Sequence, residues 1–156
     1  MPLSPEDICN IAINNCTNLD NKVVYTRFKG PPVQICSIKE ALDALSDLNF
    51  LSLSSKGIFD TPLMKASRLN KIYLMEELLN RGANINAKSK AGQTALMEAV
   101  KHNKFEAVEF LLQQKAEIEA TDISGSTALI MGCIHNSSKS VDLLLLHKAE
   151  IDAANK

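Results

Sequence analysis

The chain has few of the residues on which several classes of function depend. It contains no tryptophan, and only 4% of its 156 residues are aromatic, so it lacks the series of rings on which single-strand-binding proteins stack bases. The net charge is −1, which gives no general attraction to nucleic acid or to an anionic membrane. No purely apolar run is longer than four residues, the length of Leu143 to Leu146, which is too short to span a bilayer. We therefore expect neither nucleic acid nor a membrane as a partner.

The chain also lacks the features of an oxidising compartment. Its four cysteines, at positions 9, 16, 36 and 133, form no C-x-x-C pair. The first seven residues are acidic and carry little apolar surface, unlike a secretory signal. Such cysteines favour reduced thiols with a structural role, so we predict a cytoplasmic protein, or one in the host cytosol if it is a bacterial effector. We expect Cys133 to be packed in a helix.

Histidine is scarce as well, and this bears on catalysis and metal binding. His102 and His135 lie 33 residues apart and are expected at equivalent positions of stacked units, roughly 10 Å from each other, which is too far for a shared metal. No cysteine or carboxylate at that position completes a ligand set. Residues 1–56 contain no histidine to serve as a general base. We predict no enzyme, no cofactor and no metal.

A block of about thirty residues is repeated three times with an offset of 33. Thr61, Thr94 and Thr127 each open a similar phrase (T-P-L-M-K-A, T-A-L-M-E-A and T-A-L-I-M-G), and a leucine pair follows 17 residues later each time. A fixed period of this length indicates a stack of supersecondary units. The sequence therefore predicts three similar units packed side by side.

Each unit has the pattern of two short helices. Thr61-Pro62 suits the start of a helix, because threonine caps the first amides and proline at the first position loses no hydrogen bond. Asn70, with its equivalents Asn103 and Asn136, suits a left-handed residue that ends this helix. The second helix carries apolar residues at helical spacing that end in the leucine pair. We predict helical units at 61–80, 94–113 and 127–147, stacked so that these stripes form one core.

These motifs resemble the ankyrin repeat family over residues 57–156, with repeats at about 57–89, 90–122 and 123–156. The resemblance implies an all-α ankyrin-repeat solenoid with projecting turns. Met64, Met97 and Ile130 stand where the family usually has histidine, so a hydrogen bond typical of the family should be absent. Lys115 and Lys148 stand where the family usually has glycine, and we expect positive φ there at a cost on the order of 1 kcal/mol each.

Residues 1–56 are predicted to form a helical N-terminal capping region with an irregular insertion. A helix start at Ser4-Pro5 is followed by two β-prone segments, 23–28 and 33–35, which can form a short ribbon. Ser37 then opens a capping box, and the helix from there to about Leu48 matches the second-helix register of a degenerate first repeat. At least two helices are expected in residues 5–48.

In the family, the turn tips and the exposed ends of the first helices usually line a concave face that contacts partners. We call the corresponding residues here the concave face. They are Arg68, Leu69, Lys88, Lys90, Gln93, Lys101, His102, Thr121, Ile123, Ser126, Ile134 and His135. The first half of this set is basic and the second half offers isoleucines. The expected partner is another protein with an acidic segment and an apolar anchor.

The resemblance implies a non-catalytic protein–protein interaction module, and we expect a monomer. The alternative function is the recruiting arm of a larger enzyme or of a secreted bacterial effector, for example a ubiquitin-ligase adaptor. The run from Leu143 to Leu146 is more apolar than a terminal repeat requires, so we expect the array to continue beyond the printed chain.

Overall fold

The computed structural model describes residues 60–150 and, before them, short strands at 23–25, 33–35, 52–53 and 59–60. The predicted N-terminal helices in residues 5–48 lie outside the described residues. Strand β1 (Val23–Tyr25) pairs antiparallel with β2 (Val33–Ile35), and β3 (Ser52–Leu53) pairs antiparallel with β4 (Phe59–Asp60). The ribbon predicted between residues 23–28 and 33–35 is thus confirmed, although its first strand ends at Tyr25.

Residues 61–150 contain three pairs of helices in the predicted register. They are α1 (Pro62–Arg68), α2 (Ile72–Asn80), α3 (Ala95–Lys101), α4 (Phe105–Gln113), α5 (Ala128–Ile134) and α6 (Ser138–Leu146). We number the pairs as repeats one to three. None of the helices in the described part of the chain has the length and apolar character needed to cross a membrane.

Threonine caps the first helix of every repeat, as predicted. The Oγ1 atoms of Thr61, Thr94 and Thr127 accept from the backbone N–H three residues later at 3.2, 3.4 and 3.4 Å. In repeat one, the Thr61 N–H also donates to Met64 Sδ at 3.4 Å. The methionine thus supplies a weak acceptor at the position where histidine is usual in the resembled family.

Left-handed residues end both helices of each repeat. Asn70, Asn103 and Asn136 have φ of 56°, 53° and 55°, and they separate the first helix from the second. After the second helix, φ is 89° at Gly82, 62° at Lys115 and 67° at Lys148. Both predictions are confirmed. The two lysines adopt a backbone conformation that glycine would occupy without a steric penalty from Cβ.

The core lies between successive repeats. Helices α1, α3 and α5 contact one another in sequence, as do α2, α4 and α6. The residues that fill the core are aliphatic and fully buried; among them are Leu63, Leu74, Leu78, Leu96, Leu111 and Leu144. At Gly132 an added Cβ would lie 2.7 Å from Val141 Cγ2 and 3.3 Å from Val100 Cγ1. Helix α5 therefore packs too closely for the alanine that the other two repeats place there.

The third repeat departs from two expectations. Cys133 is exposed, although its equivalents Ser67 and Val100 are each 0% exposed, so the prediction of a packed Cys133 is wrong. Leu145, in the leucine pair, is 40% exposed, whereas its equivalent Leu112 is 5% exposed. The reason is positional, since among the described elements a later repeat covers these positions in repeats one and two but not in repeat three.

Candidate partner-binding surface

Two tight turns project between the repeats and carry part of the concave face. In the first, the Ser89 N–H donates to the Gln93 carbonyl at 2.9 Å, and in the second the Asp122 N–H donates to the Ser126 carbonyl at 3.1 Å. Asp122 Oδ1 also accepts from the Ser126 N–H at 2.9 Å. Each turn includes a glycine with positive φ, 75° at Gly92 and 77° at Gly125. These bonds hold the turns in defined shapes.

The two turns are joined directly to each other. The Ile123 N–H donates to the Ala91 carbonyl at 3.0 Å, and Lys88 Nζ donates to the Thr121 carbonyl at 3.0 Å. A Cβ added at Gly92 would lie only 2.9 Å from the Ile123 nitrogen, so this contact requires glycine. The backbone bond fixes the spacing between the side chains of the first turn and Ile123.

The ends of the first helices carry the rest of the face in two rows of equivalent positions. One row contains Arg68, Lys101 and Ile134, and the other contains Leu69, His102 and His135. Ile134 is 65% exposed and Leu69 is 40% exposed. The first row thus changes from charged residues in repeats one and two to an apolar residue in repeat three, whereas the second row changes from an apolar residue in repeat one to histidines in repeats two and three.

A buried carboxylate holds the basic side chains of the first two repeats. Glu98, in α3, is 1% exposed, and its carboxylate lies 3.3 Å from Arg68 Nη1, 3.6 Å from Lys101 Nζ and 3.5 Å from His102 Nε2. Asp60 is also 1% exposed and lies 2.6 Å from the same guanidinium nitrogen. Two buried acids thus face two permanent cations, and this part of the concave face is nearly neutral.

His102 is the titratable member of this cluster. Partial burial lowers its pKa below the ordinary value, the Glu98 carboxylate opposes that shift, and Arg68, Lys101 and Lys104 add to it. Below its pKa the ring becomes a third cation beside Glu98. Lowering the pH below that pKa therefore adds a positive charge to this cluster.

The structure sorts the predicted concave-face residues by exposure. The exposed ones are Leu69, Lys88, Lys90, His102, Thr121, Ile123, Ile134 and His135. Arg68, Gln93 and Lys101 are partly buried, and Ser126 is 8% exposed. Ser126 is buried because its backbone closes the second turn. Lys101 is only partly exposed because its amine reaches back toward Glu98.

The sequence interpretation missed Asp60 and Glu98 as organisers of this face. A signal for Glu98 was present, because an acid stands between buried Met97 and Ala99 on an inner helix and is followed at i+3 and i+4 by Lys101 and His102. Asp60 gave no comparable signal. Its role depends on Arg68, eight residues away, and that contact follows from the fold.

Polar side chains also connect neighbouring repeats away from the concave face. Asn70 Oδ1 accepts from the Ala107 N–H at 3.1 Å, and Asn70 Nδ2 donates to Glu106 Oε2 at 3.0 Å. Glu119 Oε1 accepts from the Glu150 N–H at 2.9 Å. Glu119 therefore links repeat two to repeat three. The pKa of Glu106 is lowered by a hydrogen bond from its own backbone and then by the Asn70 amide.

No group of three or more histidine, cysteine or acidic side chains within the part of the chain that the structure describes is arranged to hold a metal ion. Cys133 and His135 are both exposed at the end of α5. The residues that the fold brings together most closely on this surface form the cluster around Glu98.

The comparisons with known proteins agree with this architecture. A family model for ankyrin repeats matches three copies, over residues 33–122 and 63–155. No curated protein matches the chain in a sequence comparison. Repeats of this kind are generally protein–protein interaction modules and are typically not catalytic. With a match that extends over most of its length, the chain belongs to the ankyrin repeat family.

Proposed function

We propose that this chain is a non-catalytic module that binds a partner protein through its concave face. The observation that carries the proposal is the location of exposed apolar side chains. Of the five large hydrophobic residues exposed in the described part of the chain, three lie on this face: Leu69 at 40%, Ile123 at 79% and Ile134 at 65%. Exposed apolar groups on a rigid frame are typical of surfaces that a partner desolvates.

The charges around these groups indicate the chemistry of the partner. Asp60 and Glu98 offset Arg68 and Lys101, so the helix ends of repeats one and two offer little attraction to acids. Lys88, at the first turn, is exposed and donates one hydrogen bond, and its ammonium retains capacity for others. The best-matched partner inserts an apolar side chain near Ile123 and Ile134, with an acidic group beside the first turn.

The apolar anchor and the acidic segment of the partner are expected to contribute unequally to binding. Desolvated apolar anchors near the centre of an interface commonly dominate its affinity, whereas a solvent-exposed charge pair contributes little. We therefore expect the apolar contact to supply most of the binding energy. The acidic segment mainly affects association rate and salt dependence.

The test compares proteins captured from a lysate by the parent chain with those captured by the double variant Ile123→Asp with Ile134→Asp. The matched control is Asn80→Asp with Gln113→Asp, which adds the same charge at exposed ends of α2 and α4. We expect the first variant to lose the partner and the control to retain it. Equal capture of the same partner by all three proteins would show that it binds elsewhere.

A further inference from the structure

His102 lies at the exposed edge of the charge cluster around Glu98. The His102 side chain is 40% exposed, and its Nε2 lies 3.5 Å from Glu98 Oε2. The same carboxylate oxygen lies 3.3 Å from Arg68 Nη1. The other oxygen, Oε1, lies 3.6 Å from Lys101 Nζ. One buried carboxylate thus faces two permanent cations and one ring that can gain a proton.

The charged groups around His102 come from the described elements that pack against α3. Helix α1 contributes Arg68, and β4 contributes Asp60, which lies beside the same guanidinium. The turn after α3 contributes Lys104. Helix α5 carries no charged side chain, and Glu106 of α4 is hydrogen-bonded toward repeat one. The electrostatics of the ring therefore depend on a small and defined set of groups.

Protonation of His102 changes both the charge and the hydrogen bonding of this cluster. The two buried acids balance Arg68 and Lys101, so a proton on the ring adds a charge that no acid of the cluster offsets. The protonated ring donates from both nitrogens, and Glu98 becomes a charge-assisted acceptor. Lys101 Nζ is too far from Glu98 for a hydrogen bond, and its side chain is 28% exposed. An acidic group of a partner can therefore contact both the ring and the Lys101 ammonium.

We propose that the concave face binds an acidic partner more tightly at mildly acidic pH, with His102 as the group that takes up the proton. The inference rests on the proposed function, because it assigns a regulation to the same surface. Ordinary partner carboxylates stay ionised in this pH range, so the change in charge lies on this chain. Burial and the neighbouring cations hold the pKa of His102 below its ordinary value, although Glu98 opposes that shift. The added charge therefore appears below neutral pH.

His135 provides a comparison within the same surface, because it occupies the equivalent position of repeat three. The residues there that are equivalent to Glu98 and Lys101 are Met131 and Ile134. A proton on His135 thus adds charge beside apolar side chains and not beside a second cation. We expect it to strengthen the binding of an acidic group less than a proton on the histidine of repeat two.

Fluorescence anisotropy with the intact chain and a synthetic peptide of glutamates around one leucine tests the proposal. The affinity should be about threefold to tenfold higher at about pH 5.5 than at about pH 7.5. His102→Gln should lose this ratio and keep the affinity at the higher pH. His102→Lys carries a permanent cation, so at the higher pH it should bind about as tightly as the parent does at the lower pH. His147→Gln, the same change at an exposed position after α6, should behave like the parent.

Thermodynamic linkage gives a second readout of the same coupling. If a proton on His102 strengthens binding, the bound peptide must raise the pKa of His102 by the logarithm of the limiting affinity ratio. An NMR titration of the imidazoles measures this, with His147 as the reference. Equal affinity at both pH values, no binding at either, or a pH effect lost in His135→Gln but kept in His102→Gln would overturn the proposal. The capture experiment with the isoleucine variants decides the proposed function separately, because it depends on the apolar residues and not on His102.

Discussion

Repeats two and three have closely similar sequence patterns but different surroundings. Repeat two is covered on both sides, because α3 contacts α1 and α5, and α4 contacts α2 and α6. Repeat three is covered on one side by the described elements. As a result Val100 and Leu112 are 0% and 5% exposed, while Leu145 is 40% exposed and Cys133 is exposed. The position of a repeat in the stack therefore determines whether these equivalent residues are buried in the core or exposed on the surface.

The difference has a consequence for function. The most exposed apolar side chains on the concave face, Ile123 and Ile134, belong to the turn and helix of repeat three. The residues equivalent to Ile134 in repeats one and two are Arg68 and Lys101, and both lie beside the Glu98 carboxylate. The residue equivalent to Ile123 in repeat two is Lys90. Repeat two thus contributes the central packing, and repeat three contributes much of the apolar surface available to partners.

The largest difference between the two repeats is expected in the stability lost when a leucine is replaced by alanine. Leu112→Ala removes a side chain of repeat two that is only 5% exposed and should destabilise the fold by about 2 to 5 kcal/mol. Leu145→Ala in repeat three should cost less than about 1.5 kcal/mol, because the side chain is already 40% exposed. Thermal or urea unfolding measures both. Equal losses would mean that repeat three is packed as tightly as repeat two.

The next largest effect is expected at the charge cluster of repeat two. Glu98→Ala leaves Arg68 and Lys101 without their shared carboxylate, and we expect a loss of about 1 to 3 kcal/mol. Glu109→Ala, which removes an exposed acid from α4, is the control and should change stability by no more than about 0.5 kcal/mol.

Glu98→Ala should also change the pKa of His102. Because Glu98 raises the pKa of His102 against the effect of burial, removing the carboxylate should lower that pKa further. An NMR titration of the imidazole measures it. A raised pKa in Glu98→Ala would contradict the electrostatic account of the cluster.

A smaller change in stability, this time a gain, is expected from a substitution in repeat three. Ser140 is 0% exposed, and its hydroxyl has no hydrogen-bond partner within the described residues. Its equivalent in repeat two is Ala107. Ser140→Ala removes an unsatisfied buried hydroxyl and should stabilise the fold by about 1 kcal/mol. Chemical denaturation tests this, and a clear loss of stability would show that the hydroxyl has a partner in solution.

The smallest effect is expected at the end of α4. Lys115 has φ of 62°, where repeat one has Gly82, so Lys115→Gly relieves positive-φ strain and should stabilise by up to about 1 kcal/mol. Glycine also increases the entropy of the unfolded chain, which reduces the gain. A lowered midpoint of thermal unfolding would contradict this assignment of strain.

Much of the fold was predictable because its determinants are local and repeated. The threonine caps, the left-handed asparagines and the helix bounds follow from residues within one repeat. The exposure of Cys133 was not predictable from its register. Its equivalence to Val100 gives its position within the repeat, but it does not show whether another repeat packs against that position. The hydroxyl of Ser140 likewise gave no sequence signal of being unsatisfied.

The exposed apolar residues of the candidate site were predictable from the sequence, but the contacts between its charged residues were not. Sequence register identified exposed isoleucines at positions 123 and 134. It did not identify the contact between Arg68 and Asp60, or the convergence of three basic side chains on Glu98. Those contacts join different elements, and their strength depends on burial that only the packed repeats create.

The unequal roles of repeats two and three are tested most directly by amide hydrogen exchange followed by NMR on the intact chain. We expect the slowest exchange in α3 and α4, where both sides of the repeat are covered, and clearly faster exchange in α5 and α6. Because the same measurement reports every helix at once, no comparison between variants is needed. Protection in α6 equal to or greater than that in α4 in the monomeric chain would contradict the account.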